Sequence, residues 1–211
     1  MRSFLRAAYC PLARLPGYLG AYIHPSSALD PKTIESVMLT VNSINTCPYC
    51  TGLHGRLAEM ASVDKIQGPA VEYAKVFAAE VGRGAAVRKA FDKLVRAEGV
   101  GRAKNVRALC WALHWGKTTG NSINAVRAKL VSGRLWTVSP FELLLFAFYG
   151  PLFLAIGLVN WGLRAAPTVP PWVSTTIGAT LWLPQMVHIL PAGLVCLFLR
   201  LLAFPIGGLD L

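Results

Sequence analysis

Four residues in the amino-terminal third of the chain carry side chains suited to moving electrons and protons: Glu35, Cys47, Cys50 and His54. If Cys47 to His54 lie on one helix, Cys47, Cys50 and His54 fall at i, i+3 and i+7 and share a face. Cys50 and His54 are then one turn apart, so the imidazole can reach the sulfur or its bound water. Cys47 falls at the helix start, where unpaired backbone N–H groups and the dipole favour a thiolate. Thiolate is the nucleophilic form, so both placements promote attack on a peroxide or a disulfide. Glu35, twelve residues before Cys47, can orient His54 or accept a proton through water.

The same residues admit three other readings. Cys47, Cys50 and His54 could supply three zinc ligands, with His24, Cys110 or His114 brought in by folding as a fourth. Cys-Pro-Tyr-Cys is also the dithiol tetrapeptide of many glutaredoxins, but that fold needs a strand before the motif, and here a helical segment precedes it. Finally, a cysteine pair and a histidine can be inert groups in a helical core.

The elements that must position these residues are helices. Residues 1–29, with scattered Pro, Gly and Tyr, read as irregular, and Asp30-Pro31 is a helix start, with Asp as cap and Pro in the first turn. Ile34, Val37, Met38 and Val41 then carry helical spacing to about Ile44, and Asn42 to Thr46 is polar and turn-like. A second helix begins near Cys47-Pro48 and reaches about Ala61; Gly52 and Gly55 weaken it but let a backbone or a substrate come close. Further helices fit 70–81, 85–97, 103–115 and 121–130, with Lys117 to Asn121 as a polar turn and glycines as punctuation. Cys110 and His114 fit a packed core helix beside Trp111 and Trp115. Runs of alternating β-branched residues are missing, so the fold class is all-α.

Beyond this bundle the charge disappears. Leu143 to Leu163 is a run of 21 uncharged residues framed by Glu142 and Arg164, and it is interrupted by Gly150 and Pro151. Such a run spans about 31 Å as a helix, close to a bilayer core. Pro167, Pro170 and Pro171 form a hinge, and Trp172 to about Leu202 is long enough to return, with kinks expected at Pro184 and Pro191. Trp161, Trp172 and Trp182 suit membrane interfaces. The expected organisation is a basic amino-terminal arm or targeting segment (1–29), a helical domain (30–135) and a transmembrane helical hairpin (142–204). A hydrophobic hairpin docked in a large assembly would have the same composition. His188, in this tail, is either a hydrogen-bonded structural group or a functional intramembrane one.

The net charge of +11 is localised: between Arg83 and Arg134 twelve Lys or Arg face only Asp92 and Glu98. Basic charge just before an apolar span marks the side where Lys and Arg are retained, which places the helical domain on a cytoplasmic, matrix or stromal face, an organelle inner membrane included. Zinc-finger spacing, RNA-binding signatures and aromatic-basic interleaving are missing, so lipid headgroups or an acidic partner are expected rather than nucleic acid. The five scattered cysteines make no secreted disulfide framework and point to a reducing compartment. Met1 to Leu15 holds Arg2, Arg6 and Arg14 without an acid, as organellar targeting peptides do, although a basic arm on a membrane or partner reads the same way.

The spacing Glu-x11-Cys-x2-Cys-x3-His, with Leu29-Asp-Pro before the first helix and Cys-Pro-Tyr-Cys-Thr-Gly-Leu-His-Gly in the second, resembles the AhpD-like alkylhydroperoxidase and carboxymuconolactone decarboxylase superfamily over about residues 28–132. The resemblance implies an all-helical fold, and trimers or larger rings. It implies Cys50 as the peroxide-attacking cysteine, Cys47 as its resolving partner and Glu35 with His54 as a proton relay. The cycle passes through a disulfide that a thiol or disulfide reductant restores, with no haem, flavin or metal cofactor. Many catalytic members carry a second His between the cysteines, where this chain has Tyr49, a poorer base near neutral pH. The decarboxylase branch lacks the dithiol, so lactone chemistry is not expected. The functional expectation is a membrane-anchored thiol oxidoreductase acting on a small hydroperoxide. The alternative is a non-catalytic accessory or structural subunit of a membrane complex.

Overall fold

Asp30 caps the helix that carries Glu35: its carboxylate accepts from the Thr33 N–H at 2.9 Å and from the Thr33 hydroxyl at 2.6 Å. From there to Leu163 the computed structural model runs through helices at the expected places. The structure describes residues 2–44, 46–60, 67–165, 170–180 and 182–201. In chain order its helices are α1 (Arg2–Leu12), α2 (Leu15–Ile23), α3 (Pro31–Ile44), α4 (Pro48–Met60), α5 (Pro69–Ala79), α6 (Gly84–Glu98), α7 (Val100–Val131), α8 (Pro140–Leu163), α9 (Pro171–Thr180) and α10 (Trp182–Leu201), with a 3-10 turn at Leu135–Thr137. Among the described residues there is no strand, so the all-α expectation holds.

Two expectations are corrected. The segment 1–29, read as irregular, contains α1 and α2. Pro16 sits in the first turn of α2, where its missing N–H costs no hydrogen bond. Ala7, Ala8 and Cys10 of α1 are buried against the rest of the fold. α1 crosses α10 at Gly193, where a Cβ would lie 2.6 Å from Leu12 Cδ2, so a larger residue there requires the Leu12 side chain to move. Second, the helices expected at 103–115 and 121–130 are one continuous α7. The hydroxyls of Thr118, Thr119 and Ser122 bond back to the carbonyls of His114, Trp115 and Thr118. These polar side chains thus satisfy themselves within the helix instead of breaking it.

The core forms around α7, which packs against α2, α3 and α5 on one side and α1 and α8 on the other. Val106, Leu109 and Trp115 are among its fully buried side chains. α8 begins with a reciprocal capping box: Ser139 Oγ accepts from the Glu142 N–H at 3.2 Å, and Glu142 Oε2 accepts from the Ser139 N–H at 2.8 Å. Lys129 donates to Glu142 at 2.6 Å and ties this start to α7. Pro151 is accommodated inside α8 without ending it.

α8 is 24 residues long with a mean hydropathy of 2.0, and only 17% of its most apolar stretch is buried. Its length of about 36 Å is enough to cross a bilayer. Among the described residues no second helix is long and apolar enough; the shorter apolar stretch is Ile189–Leu199 within α10. The return leg expected from Trp172 is divided into α9 and α10. Pro184 falls in the first turn of α10, and Pro191 is held inside that helix. The expected Pro167 hinge, the His188 side chain and the end of the hairpin beyond Leu201 lie outside the described residues.

Candidate functional site

The turn between α3 and α4 builds the thiol pair. Cys47 is the residue before α4, and its sulfur takes the capping position, accepting the Cys50 N–H at 3.4 Å. The Cys50 thiol donates to Cys47 Sγ at 2.8 Å; both cysteines are free thiols and both are buried. Asn42, a buried residue near the end of α3, fixes this geometry: its Oδ1 accepts the Cys47 N–H at 3.2 Å and its amide donates to the Thr51 hydroxyl. Asn42 was expected in a polar turn. Its place on the helical face of Glu35 and Met38, at i, i+3 and i+7, is the signal that would have found it.

Glu35 and His54 meet as expected, with His54 Nδ1 and Glu35 Oε2 2.9 Å apart. α3 presents Glu35 and Asn42, and α4 presents Cys47, Cys50 and His54. Two antiparallel stripes thus bring a carboxylate to the imidazole and an amide to the thiols.

The proton distribution in the pair follows from this geometry. The hydrogen bond from Cys50 is the largest influence on Cys47, and with the Cys50 and Tyr49 N–H groups it lowers the thiol to about 7 despite burial. Cys50 is pushed up by the same bond and by burial. The resting negative charge therefore sits on Cys47, at the helix start. Lys117 of α7 is a further charge near the sulfurs: burial lowers its pKa, while the field of Cys47 and Cys50 opposes that change. Sequence reading placed Lys117 in a turn; only the continuous α7 carries it to the site.

Cys50 and His54 open onto a cavity of about 90 Å³. Its walls are mainly apolar: Leu53 and Leu57 from α4, Leu113 from α7, and Leu152, Phe153 and Ile156 from α8. Tyr18 and Tyr22 of α2 also face it, and burial raises both phenols, Tyr18 to about 12. Neither phenol is then a base near neutral pH. Gly120 of α7 lets α8 and the thiols meet, since a Cβ there would lie 2.8 Å from Phe153 Cε1 and 2.9 Å from Cys47 Sγ.

α8, expected as a separate membrane segment, is thus a wall of the thiol cavity. Tyr49, between the cysteines, packs its ring edge-on to Phe153 at 5.2 Å, and its carbonyl accepts from Asn160 at 3.3 Å. Gly52 leaves room for Asn160, whose Nδ2 would lie 3.0 Å from a Cβ, whereas nothing lies within 4 Å of one at Gly55. Arg56 Nε donates to the Leu163 carbonyl at 2.7 Å, closing the carboxyl-terminal end of α8.

The residues proposed as a fourth metal ligand do not join the pair in one cluster. His24 is exposed, with Nδ1 bonded to the Ser26 N–H at 3.3 Å. His114 stacks edge-on to Trp111 at 5.7 Å, and burial pushes the core thiol of Cys110 up. Among the described residues no three His, Cys, Asp or Glu side chains converge as a metal site.

An all-helical domain with a Cys-x-x-Cys pair at a helix start, beside a Glu–His pair and an apolar cavity, defines a class of helical dithiol proteins. The model of the carboxymuconolactone decarboxylase family matches residues 12–93 of the chain. The match begins earlier and ends earlier than the resemblance placed it; it takes in Glu35, Cys47, Cys50 and His54 and leaves α7 and α8 outside. No curated protein and no solved structure matches the chain.

Proposed function

We propose that the protein is a membrane-anchored thiol oxidoreductase that reduces apolar hydroperoxides at Cys50 and Cys47. The observation that supports this best is the pairing of a 2.8 Å thiol contact with a 2.9 Å carboxylate–imidazole contact, with Cys50 and His54 on one cavity. The resting thiolate is on Cys47, so the reaction begins when the Cys50 proton passes to His54. The Cys50 thiolate attacks the terminal peroxide oxygen. The O–O bond breaks, Cys50 becomes a sulfenic acid, and the alkoxide takes a proton from the His54 imidazolium that Glu35 stabilises. Cys47 then attacks the Cys50 sulfur, releasing water and forming the disulfide. The balance is hydroperoxide plus two thiols to alcohol, water and disulfide; an external dithiol restores the pair by exchange.

α8 supports the membrane part of this reading. It is long enough to span, and its outer residues Leu144, Leu154, Leu158 and Trp161 are exposed, while its inner face walls the cavity. α9 and α10 would complete the return. The basic domain would lie on the side where Lys and Arg are retained.

The test is Cys50→Ser in the full chain in detergent micelles, supplied with an alkyl hydroperoxide and dithiothreitol. Peroxide consumption should fall to the uncatalysed rate. Unchanged consumption would show this mechanism to be wrong.

A second reading, an accessory subunit of a membrane complex, is favoured by Tyr49. The position between the cysteines serves here to hold α8 through Phe153 and Asn160. Recovery of the chain in a stable large assembly, with no thiol turnover, would favour this second reading.

A further inference from the structure

On the other side of α7 lies a second cavity, of about 270 Å³, between α2, α5, α6 and α7. Arg14, Arg83, Arg88 and Arg107 line it, against the one carboxylate of Asp92. Arg14 lies over the Trp111 ring at 5.4 Å and Arg107 over the Phe91 ring at 4.3 Å. Both guanidiniums are thus held in place by aromatic faces. Arg14 gives one N–H to the Cys10 carbonyl at 3.0 Å, but among the described residues neither Arg14 nor Arg107 forms a salt bridge.

Among the described residues, three donors of the side chains that line this cavity are buried with no acceptor: Arg14 Nε, Arg107 Nε and the Tyr73 hydroxyl. Tyr73 is among the residues that line the cavity, and at 1% exposure its hydroxyl is deeply buried. A buried donor left unpaired costs about 1–3 kcal/mol, and more when charged. Two guanidiniums near each other add repulsion; burial and then the Arg14 charge lower the Arg107 pKa. The chain around the cavity is also strained. Val81, a β-branched residue, sits at φ 52°, in the left-handed region such residues avoid. Gly82 follows at φ 70°, packed so that a Cβ would lie 2.7 Å from Phe77 and Trp111.

We propose that this cavity binds a phosphate group, held by the guanidiniums of Arg14 and Arg107 and the hydroxyl of Tyr73. Several converging donors and an excess of three positive charges match a dianion better than a single carboxylate. Arg83 and Arg88, at the exposed rim, meet the oxygens that face out. Trp111 and Phe91 leave apolar wall for the group that bears the phosphate. A soluble phosphate and a phosphomonoester lipid headgroup share this chemistry. The site stands apart from the thiol pair, so it does not depend on the proposed peroxide reaction.

The experiment uses the full chain in non-ionic detergent micelles. One arm titrates inorganic phosphate by calorimetry. The other measures co-sedimentation with phosphatidylcholine vesicles with and without phosphatidic acid, after exchange into those vesicles' buffer. Arg107→Gln and Tyr73→Phe are compared with the unsubstituted chain. Each should weaken binding about tenfold or more. Tyr73→Phe should not lower the unfolding temperature in phosphate-free buffer, because it removes only a hydroxyl that has no partner among the described residues. Binding in the first arm identifies a soluble phosphate, and variant-sensitive binding in the second alone identifies a headgroup. The proposal is overturned if neither arm shows binding, if binding is the same in both variants, or if Tyr73→Phe destabilises the phosphate-free protein.

Discussion

The two cavities that flank α7 solve the problem of buried polarity in opposite ways. At the thiols the groups proposed to react, and the amide that holds them, have internal partners: Cys50 on Cys47, His54 on Glu35, and Asn42 on the Cys47 N–H and the Thr51 hydroxyl. Around Tyr73 and Arg107 the donors are left over. A self-satisfied buried network holds its groups ready to exchange protons and electrons with one another. A surplus of buried donors shows what must come from outside. The contrast separates the site proposed for chemistry from the one proposed for an anion.

The sharpest challenge to this contrast is His54→Gln. It removes the proposed base but keeps a hydrogen-bonding side chain opposite Glu35. Peroxide turnover should fall by about 10²–10⁴, while Tyr73→Phe in the other cavity should leave it unchanged. Equal effects in steady-state assays would erase the distinction.

Gly120→Ala comes next. The added methyl meets Phe153 and Cys47 Sγ at under 3 Å, so overpacking should cost about 1–3 kcal/mol in urea unfolding of micellar protein. Gly55→Ala, also in a helix but with open space around it, should instead be neutral or stabilise by up to about 1 kcal/mol. Similar costs at both positions would mean that α8 does not close on the thiols.

The smallest effect is on pH dependence. Cys47 is depressed from 9.0 to about 7, so the reduced protein gains stability that is fully present above pH 9.0 and is lost as pH falls through about 7. Alkylation of the reduced pair should rise with pH and reach half its plateau near 7. A midpoint near 9 would show that the Cys50 bond and the helix start do not hold the charge on Cys47.

Much of the thiol site could be read from the chain because it is local. Asp30-Pro31 starts one helix and Cys47-Pro48 the next, and helical spacing alone puts Cys47, Cys50 and His54 on one face. Glu35 was legible because its helix is adjacent in sequence. The polar stretch from Lys117 to Asn121 misled, because threonine and serine hydroxyls can bond to their own helix as readily as they can end it. The basic segment before Leu15 misled as well, because Ala7 and Ala8 find their burial in a cluster that includes Ile189, Ala192 and Cys196, nearly two hundred residues away.

The sequence by itself determined the helices and the stripe of thiols and imidazole, since both follow from a period of 3.6 residues and from capping. Only the tertiary structure decided that α8 walls the cavity, that Lys117 reaches the sulfurs, and that Arg14 and Arg107 converge beside Tyr73. Those contacts join residues from about 34 to more than 100 positions apart. They are set by how helices pack around α7, for which no local pattern in the chain is a sufficient signal.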